Sequence, residues 1–320
     1  MNMFKKGFTV VLSVALSATL VLPSYSAYAE TGSIPTEQEK EQAKQVAENI
    51  EKVTGNDDIV QSNNKNAEYI VNNDAGTISI PHENDSQSIE IRGRTDSLKI
   101  SLPKVDTKEA IQTSNGTIVY KGKEENSSVD LAVQPTTKGV RNLVRINDAT
   151  APKEYNFNIK VPEGSKLVSA ADYLGADFDT KEVFIVDEKN QIQSIFTPAW
   201  AKDANGNDIP THYEIRGNDL VQKVEFNENT AFPIVADPSW WQIAKCAGAI
   251  TVFIGTNMFA VSKIMKIKEY MKELGGVYEA AELMLKASTW EERMRYGGKA
   301  LIGLAAELTG VASLSACWGG

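Results

Sequence analysis

The chain has 320 residues, 42% of them hydrophobic, and a formal charge of −9. That length holds two domains of ordinary size, each with its own core. The acidity excludes a surface that displaces phosphate counterions, so no nucleic-acid partner is expected. The charge is unevenly placed. Residues 239–320 hold seven Lys and two Arg against seven Glu, a net of +2, and the rest carries −11. Such a shift marks a domain boundary.

Lys5 and Lys6 precede an apolar run over residues 8–22, and Ala27-Tyr28-Ala29 follows at the spacing of a small-x-small cleavage site. This is the pattern of a secretory signal peptide over residues 1–29, with Ala27 and Ala29 as the small residues at the cut. A secreted, extracellular location is therefore expected, with an uncleaved membrane anchor as the alternative. Residues 30–67 read as a helix and a linker. Thr36 and Glu39 form a capping box. Ala43, Val46, Ala47, Ile50 and Val53 then recur at helical spacing, and Gly55 ends the run before an Asn/Asp-rich loop.

Residues 68–238 read as β. Apolar/polar alternation predicts strands at 77–80, 88–92, 98–102, 117–120 and 129–133, then at 155–161, 183–186, 193–196, 213–215 and 220–226. Short strands at this spacing, with no long helical pattern between them, predict an antiparallel sandwich-like domain or a related open-sheet array. Pro233 and Pro238 bracket Ile234-Val235-Ala236-Asp237 and should end the last strand. Ser239 then reads as a helix N-cap.

Two segments resemble a known module. One runs Asn126-Ser127-Ser128-Val129-Asp130-Leu131, then Thr137-Lys138-Gly139-Val140, then Phe157-Asn158-Ile159; the other is Phe196-Thr197-Pro198-Ala199-Trp200-Ala201-Lys202-Asp203-Ala204-Asn205-Gly206. Together, over residues 117–230, they resemble the β module found ahead of YD-repeat (RHS-type) regions in bacterial secreted and wall-associated proteins. No YD repeats follow here. The resemblance implies an extracellular structural or carrier module rather than an enzyme. The Pro-Ile-Val-Ala-Asp-Pro junction at residues 233–238 is similar to one in exported proteins of Gram-positive bacteria that carry a Cys-bounded helical tail.

Residues 239–320 read as helical. Cys246 to Val261 carries no charge, but is shorter than the roughly 20 apolar residues of a membrane span. Ile264, Ile267, Met271 and Leu274 then share one helical face, and Gly275-Gly276 stops that helix. A second helix follows from Val277, with Ala280, Ala281, Met284 and Leu285 on one side. Ser288 or Thr289 caps a third, with Glu291 and Glu292 where the helix dipole favours acid. Gly297-Gly298 interrupts it. Two cysteines in one exported domain, Cys246 and Cys317, most simply form a disulfide; two buried thiols are the alternative. The bridge would close about 70 residues, worth ~4 kcal/mol by loop entropy. The fold class expected is α+β in separate domains, an antiparallel β-sandwich-like domain followed by a small disulfide-closed α-helical domain.

No catalytic motif is present: no G-x-S-x-G, H-E-x-x-H, Walker loop or G-x-G-x-x-G. No catalytic residues, metal ligands or small-molecule cofactor are expected, and the chain reads as non-enzymatic. His82 and His212 read as surface residues, and residues 203–208 as a β-turn rather than a calcium loop. Two functions remain open. In one, the acidic β domain carries or shields a helical domain that acts on a membrane or a cell-envelope partner, an arrangement that resembles bacteriocin-like precursors. Trp240, Trp241, Ile264, Ile267, Met271 and Trp318 are then the contact residues. In the other, the chain is a cell-envelope structural or binding module whose helical tail is packed in place.

Overall fold

The structure is a computed structural model that describes residues 35–65, 68–84, 88–93, 97–242, 249–250, 254 and 260–309. Helix α1 (Glu37–Thr54) starts as its sequence dictates. Thr36 Oγ1 accepts from the Glu39 N–H at 3.2 Å, and the Glu39 carboxylate accepts from the Thr36 N–H at 3.0 Å. Ala43, Val46, Ala47 and Ile50 form its buried stripe, so the helix lies on a surface rather than in solvent.

That surface is the second of two antiparallel sheets. The first sheet runs, neighbour to neighbour, β1 (Asn63–Lys65), β2 (Glu68–Asn73), β3 (Gly76–Pro81), β4 (Ile89–Arg92), β5 (Ser97–Ser101), β10 (Glu154–Lys160), β16 (Asp219–Val224) and β15 (Thr211–Arg216). The second runs β11 (Lys166–Ser169), β12 (Val183–Val186), β13 (Ile192–Phe196), β18 (Ser239–Gln242), β9 (Gly139–Ile146), β8 (Val129–Pro135), β7 (Ile118–Tyr120) and β6 (Ile111–Gln112). β17 (Ile234–Asp237) also pairs with β9, and carries β14 (Trp200–Lys202) on its other edge.

The sheets stack through one core, with Ile78, Ile80, Ile89 and Ile100 from the first and Leu131, Val133, Val144, Ile185 and Trp240 from the second. Side chains alternate across a strand, so the second sheet has another face to cover. Two helical elements cover it. Under α1 lie Val119, Ala132, Leu143 and Val235. Under the C-terminal helices lie Phe184, Val186, Ile192 and Ile195. The second sheet is thus a middle layer, which explains the unbroken apolar run Val183-Phe184-Ile185-Val186: Val183 and Ile185 enter one core, Phe184 and Val186 the other.

The C-terminal helices are α3 (Val261–Glu273), α4 (Val277–Lys286) and α5 (Trp290–Leu308); a short α2 (Ala170–Leu174) lies on the sheet side of their core. Two of the predicted local signals stand where expected. Gly275 and Gly276 take positive φ between α3 and α4. Thr289 and Glu292 make a capping box for α5, and Gly298, at φ 58° and ψ −145°, kinks it. Gly276 is required twice over. Its φ is 128°, and a Cβ there would sit 2.6 Å from the Glu182 carboxyl carbon. Gly276→Ala is expected to destabilise the chain by more than about 1 kcal/mol, read as a lower denaturation midpoint.

The fold is α+β with a C-terminal helical region, but the junction differs from expectation. Ser239 does not cap a helix. Ser239–Gln242 is a strand, with Trp240 opposite Val140 of β9 and Phe196 of β13. Pro238 interrupts β17 and β18 without ending the sheet. Its carbonyl accepts from the Asn142 N–H at 3.2 Å, and pairing with β9 resumes one residue later. Residues 35–320 consequently cluster as one compact unit. Cys246 and Cys317 lie outside the described residues, as do Trp318, Ala27 and Ala29.

Candidate binding cleft

Between α1 and the C-terminal helices, a stripe of the second sheet has no described helix over it. The residues on that stripe change character. Where Leu143 and Val235 face α1, their neighbours on the same face are Arg141, Asp237, Ser239 and Trp241. The stripe floors a cleft of about 390 Å³, lined by Val53 and Thr54 at the end of α1, Arg141, Trp200, Ser239 and Trp241 on the sheet, and Gly275, Tyr278 and Glu279 at the start of α4. Volume and placement, between packed elements, are those of a small-molecule site.

Each lining group is held from behind. Arg141 makes a bidentate pair with Asp58, at 3.0 Å from Nη1 and 2.7 Å from Nη2. Its guanidinium also lies 5.6 Å from the centroid of Trp241, and Trp241 stacks on Tyr278 at 5.4 Å and 27°. Sheet and helix are joined by this run of flat groups. Beneath the cleft, Asp237 is fully buried. Its carboxylate accepts from the Ser239 hydroxyl, while Oδ1 has no partner among the described residues. Burial pushes its pKa up to about 7, against the pull of Ser239, Arg141 and Trp200. Tyr213 fixes the same residue through its carbonyl at 3.0 Å.

Glu182 closes the cleft on the helical side. Its carboxylate accepts from the Val277 N–H at 2.8 Å, the Tyr278 N–H at 3.0 Å and the Thr180 hydroxyl at 2.7 Å. Helix α4 has no N-cap side chain of its own, so an acid brought from the β region satisfies its first orphan donors and meets the positive end of its dipole. Burial raises the Glu182 pKa despite these three donors. Lys138, in the turn between β8 and β9, pairs with the buried Glu282 of α4.

The expected contact residues lie elsewhere in the packing. Trp240, Ile267 and Met271 are not presented outward: Trp240 fills the core between the sheets, and Ile267 and Met271 the core under the helices. Ile264 is half-buried against the same helical core. Of the expected contact residues that are described, Trp241 alone reaches the cleft. The large apolar side chains that are exposed among the described residues are Val261, Met265, Trp290, Met294 and Tyr296. His82, expected at the surface, is half-buried against Tyr69 at 4.5 Å, and burial lowers its pKa; His212 is exposed. The 203–208 segment is a turn. Asp203 Oδ1 accepts from the Asn205 and Asn207 N–H groups at 2.9 Å, and Gly206 takes φ 83°.

In comparisons with protein-family models, with curated proteins and with solved structures, nothing matches this chain. Its function is therefore read from the cleft and its surroundings.

Proposed function

We propose that the chain is an exported, non-enzymatic binding module of the cell envelope, with its helical region kept in place as the third layer. The observation that carries this reading is the composite cleft. Tyr278 and Glu279 of α4 line it together with Arg141, Trp200 and Trp241 of the sheet, so removing the helices removes a wall. The latches agree: Glu182 caps α4 from the β region, and Lys138 pairs with Glu282. What supports export is the leader pattern of residues 1–29 and the resemblance of residues 117–230 to secreted wall-associated modules.

A second reading, in which the β region carries a helical region that acts on a membrane, draws support from the exposed side chains. Val261, Met265, Trp290, Met294 and Tyr296 all belong to the helical region, and aromatic and apolar groups beside Arg295 and Lys299 suit a headgroup layer. No described helix is long and apolar enough to cross a membrane. Intact mass of the protein recovered from culture supernatant separates the two. The binding-module reading expects one chain starting near Glu30 and retaining the helices. A C-terminal fragment freed near Pro238 that releases dye from anionic vesicles would establish the second reading in its place.

A further inference from the structure

The geometry points to a neutral saccharide, of one or two rings, as the ligand of the cleft between α1, the second sheet and α4. This inference rests on the binding-module reading and names the chemistry that the site selects.

Charge excludes the first alternative. An anionic ligand such as a phosphate or carboxylate needs a cation free to meet it. Among the described residues, the one cation in the lining, Arg141, is committed to both oxygens of Asp58. The other ionisable groups of the lining are acids, Glu182 and Glu279, which repel an anion. Shape and surface exclude a purely apolar ligand. The lining sets Trp200, Trp241 and Tyr278 beside Thr197 and Glu279, and polar groups left facing an apolar guest would lose their water without replacement.

A sugar ring meets both halves of that surface. Its C–H face is apolar and packs on an aromatic face or edge, and its hydroxyls are donors that seek carboxylates and hydroxyls. Here the rings do not have to be ordered by the ligand. Trp241 is packed against both the Arg141 guanidinium and the Tyr278 ring, and Trp200 is packed against the core under α1. Binding to such fixed groups avoids much of the side-chain ordering cost. The polar partners are to hand: Glu279 is exposed at the mouth, and the Tyr278 hydroxyl has no hydrogen-bond partner among the described residues. The cleft, at about 390 Å³, is at the small end of the range of about 300–1,000 Å³ for ligand sites, which suits a mono- or disaccharide and not a long chain held along its length.

The test uses the full-length mature protein and two readouts, calorimetry and quenching of tryptophan fluorescence. The probes are glucose, N-acetylglucosamine and their disaccharides, with choline and inorganic phosphate alongside. Saturable binding of at least one saccharide is expected, with neither ion binding. Tyr278→Phe keeps the stack on Trp241 and removes the hydroxyl; Glu279→Gln keeps the shape and removes the charge. Each should weaken the saccharide roughly three- to tenfold, the loss of about one hydrogen bond, with the circular dichroism unchanged. Choline binding in place of sugar, or binding untouched by both variants, overturns the inference while leaving a binding module. No binding of any probe overturns the inference too. Loss of the helices from the native protein, read by mass, overturns the binding-module reading itself.

Discussion

Asp237→Asn is expected to flatten the pH dependence of stability and to make the variant the more stable protein above neutrality. Asp237 is wholly buried, and its pKa stands at about 7 against an ordinary 3.8. A carboxyl group with a raised pKa favours the folded state while it is neutral. Its contribution is therefore full below the unfolded-state value, declines as pH rises from about 4 to 7, and is gone above that. Roughly three units at 1.36 kcal/mol each amount to about 4 kcal/mol lost across that window. An asparagine keeps an oxygen for the Ser239 hydroxyl and has no charge to bury. It also introduces N–H groups where Asp237 Oδ1 has no partner, at a cost of about 1 kcal/mol. The two stability curves should cross. Below pH 4 the parent leads by about 1 kcal/mol, and at pH 8.5 the variant leads by about 3 kcal/mol, measured as denaturant midpoints with m checked for constancy. Parallel curves would mean that Asp237 ionises freely in the folded chain.

Glu182→Ala should loosen α4 from the sheet without unfolding the sandwich. The substitution takes the shared acceptor from two backbone donors, Val277 and Tyr278 N–H, and leaves them buried beside Gly276. Two unmet donors at 1–3 kcal/mol each, less the relief of removing a desolvated acid, give roughly 2–4 kcal/mol. The damage should be local. Amide exchange should quicken across Val277–Lys286 and at Tyr278 first, while β8 and β9 keep their protection. Glu182→Gln retains one acceptor oxygen and should lose less than half as much. Because the Glu182 pKa is raised, acid should tighten this latch and alkali loosen it. Uniform loss of protection over the whole chain would show that Glu182 supports the β core rather than the helical layer.

The sequence was most readable where structure is local. The capping boxes at Thr36 and Thr289, the Gly275-Gly276 stop and the alternating strands need only neighbours, and each stands where its pattern places it. β9 was unreadable for a physical reason. Arg141, Asn142 and Arg145 break its apolar pattern, yet Arg145 is half-buried against the fully buried Asp130 at 2.9 Å and Asn49 of α1 at 2.9 Å. A charge whose partner lies on another element reads as solvated until that element is placed. Trp240 misled in the same way. In sequence it begins an apolar stretch after a proline, and in the structure it is an inward residue of a strand. The cleft had no local signature at all, because Thr54, Arg141, Glu182, Trp200, Ser239 and Tyr278 meet only after α1, the second sheet and α4 have assembled. The one hint was Asp237, an acid at the end of the apolar run Ile234-Val235-Ala236.

The position of β18 also sets the order in which the molecule can be finished. β13 and β9 do not touch each other; Ser239–Gln242 lies between them and hydrogen-bonds both. A chain emerging from its N-terminus therefore presents two half-sheets with open edges until residue 242 is free. Open edges next to apolar faces recruit other chains, so the nascent protein is at its most vulnerable late, when nearly all of the β region exists and its central strand does not. Truncation upstream of Ser239 would freeze that state. β18 is thus a wedge that closes the sheet, and its arrival converts two sticky halves into one surface.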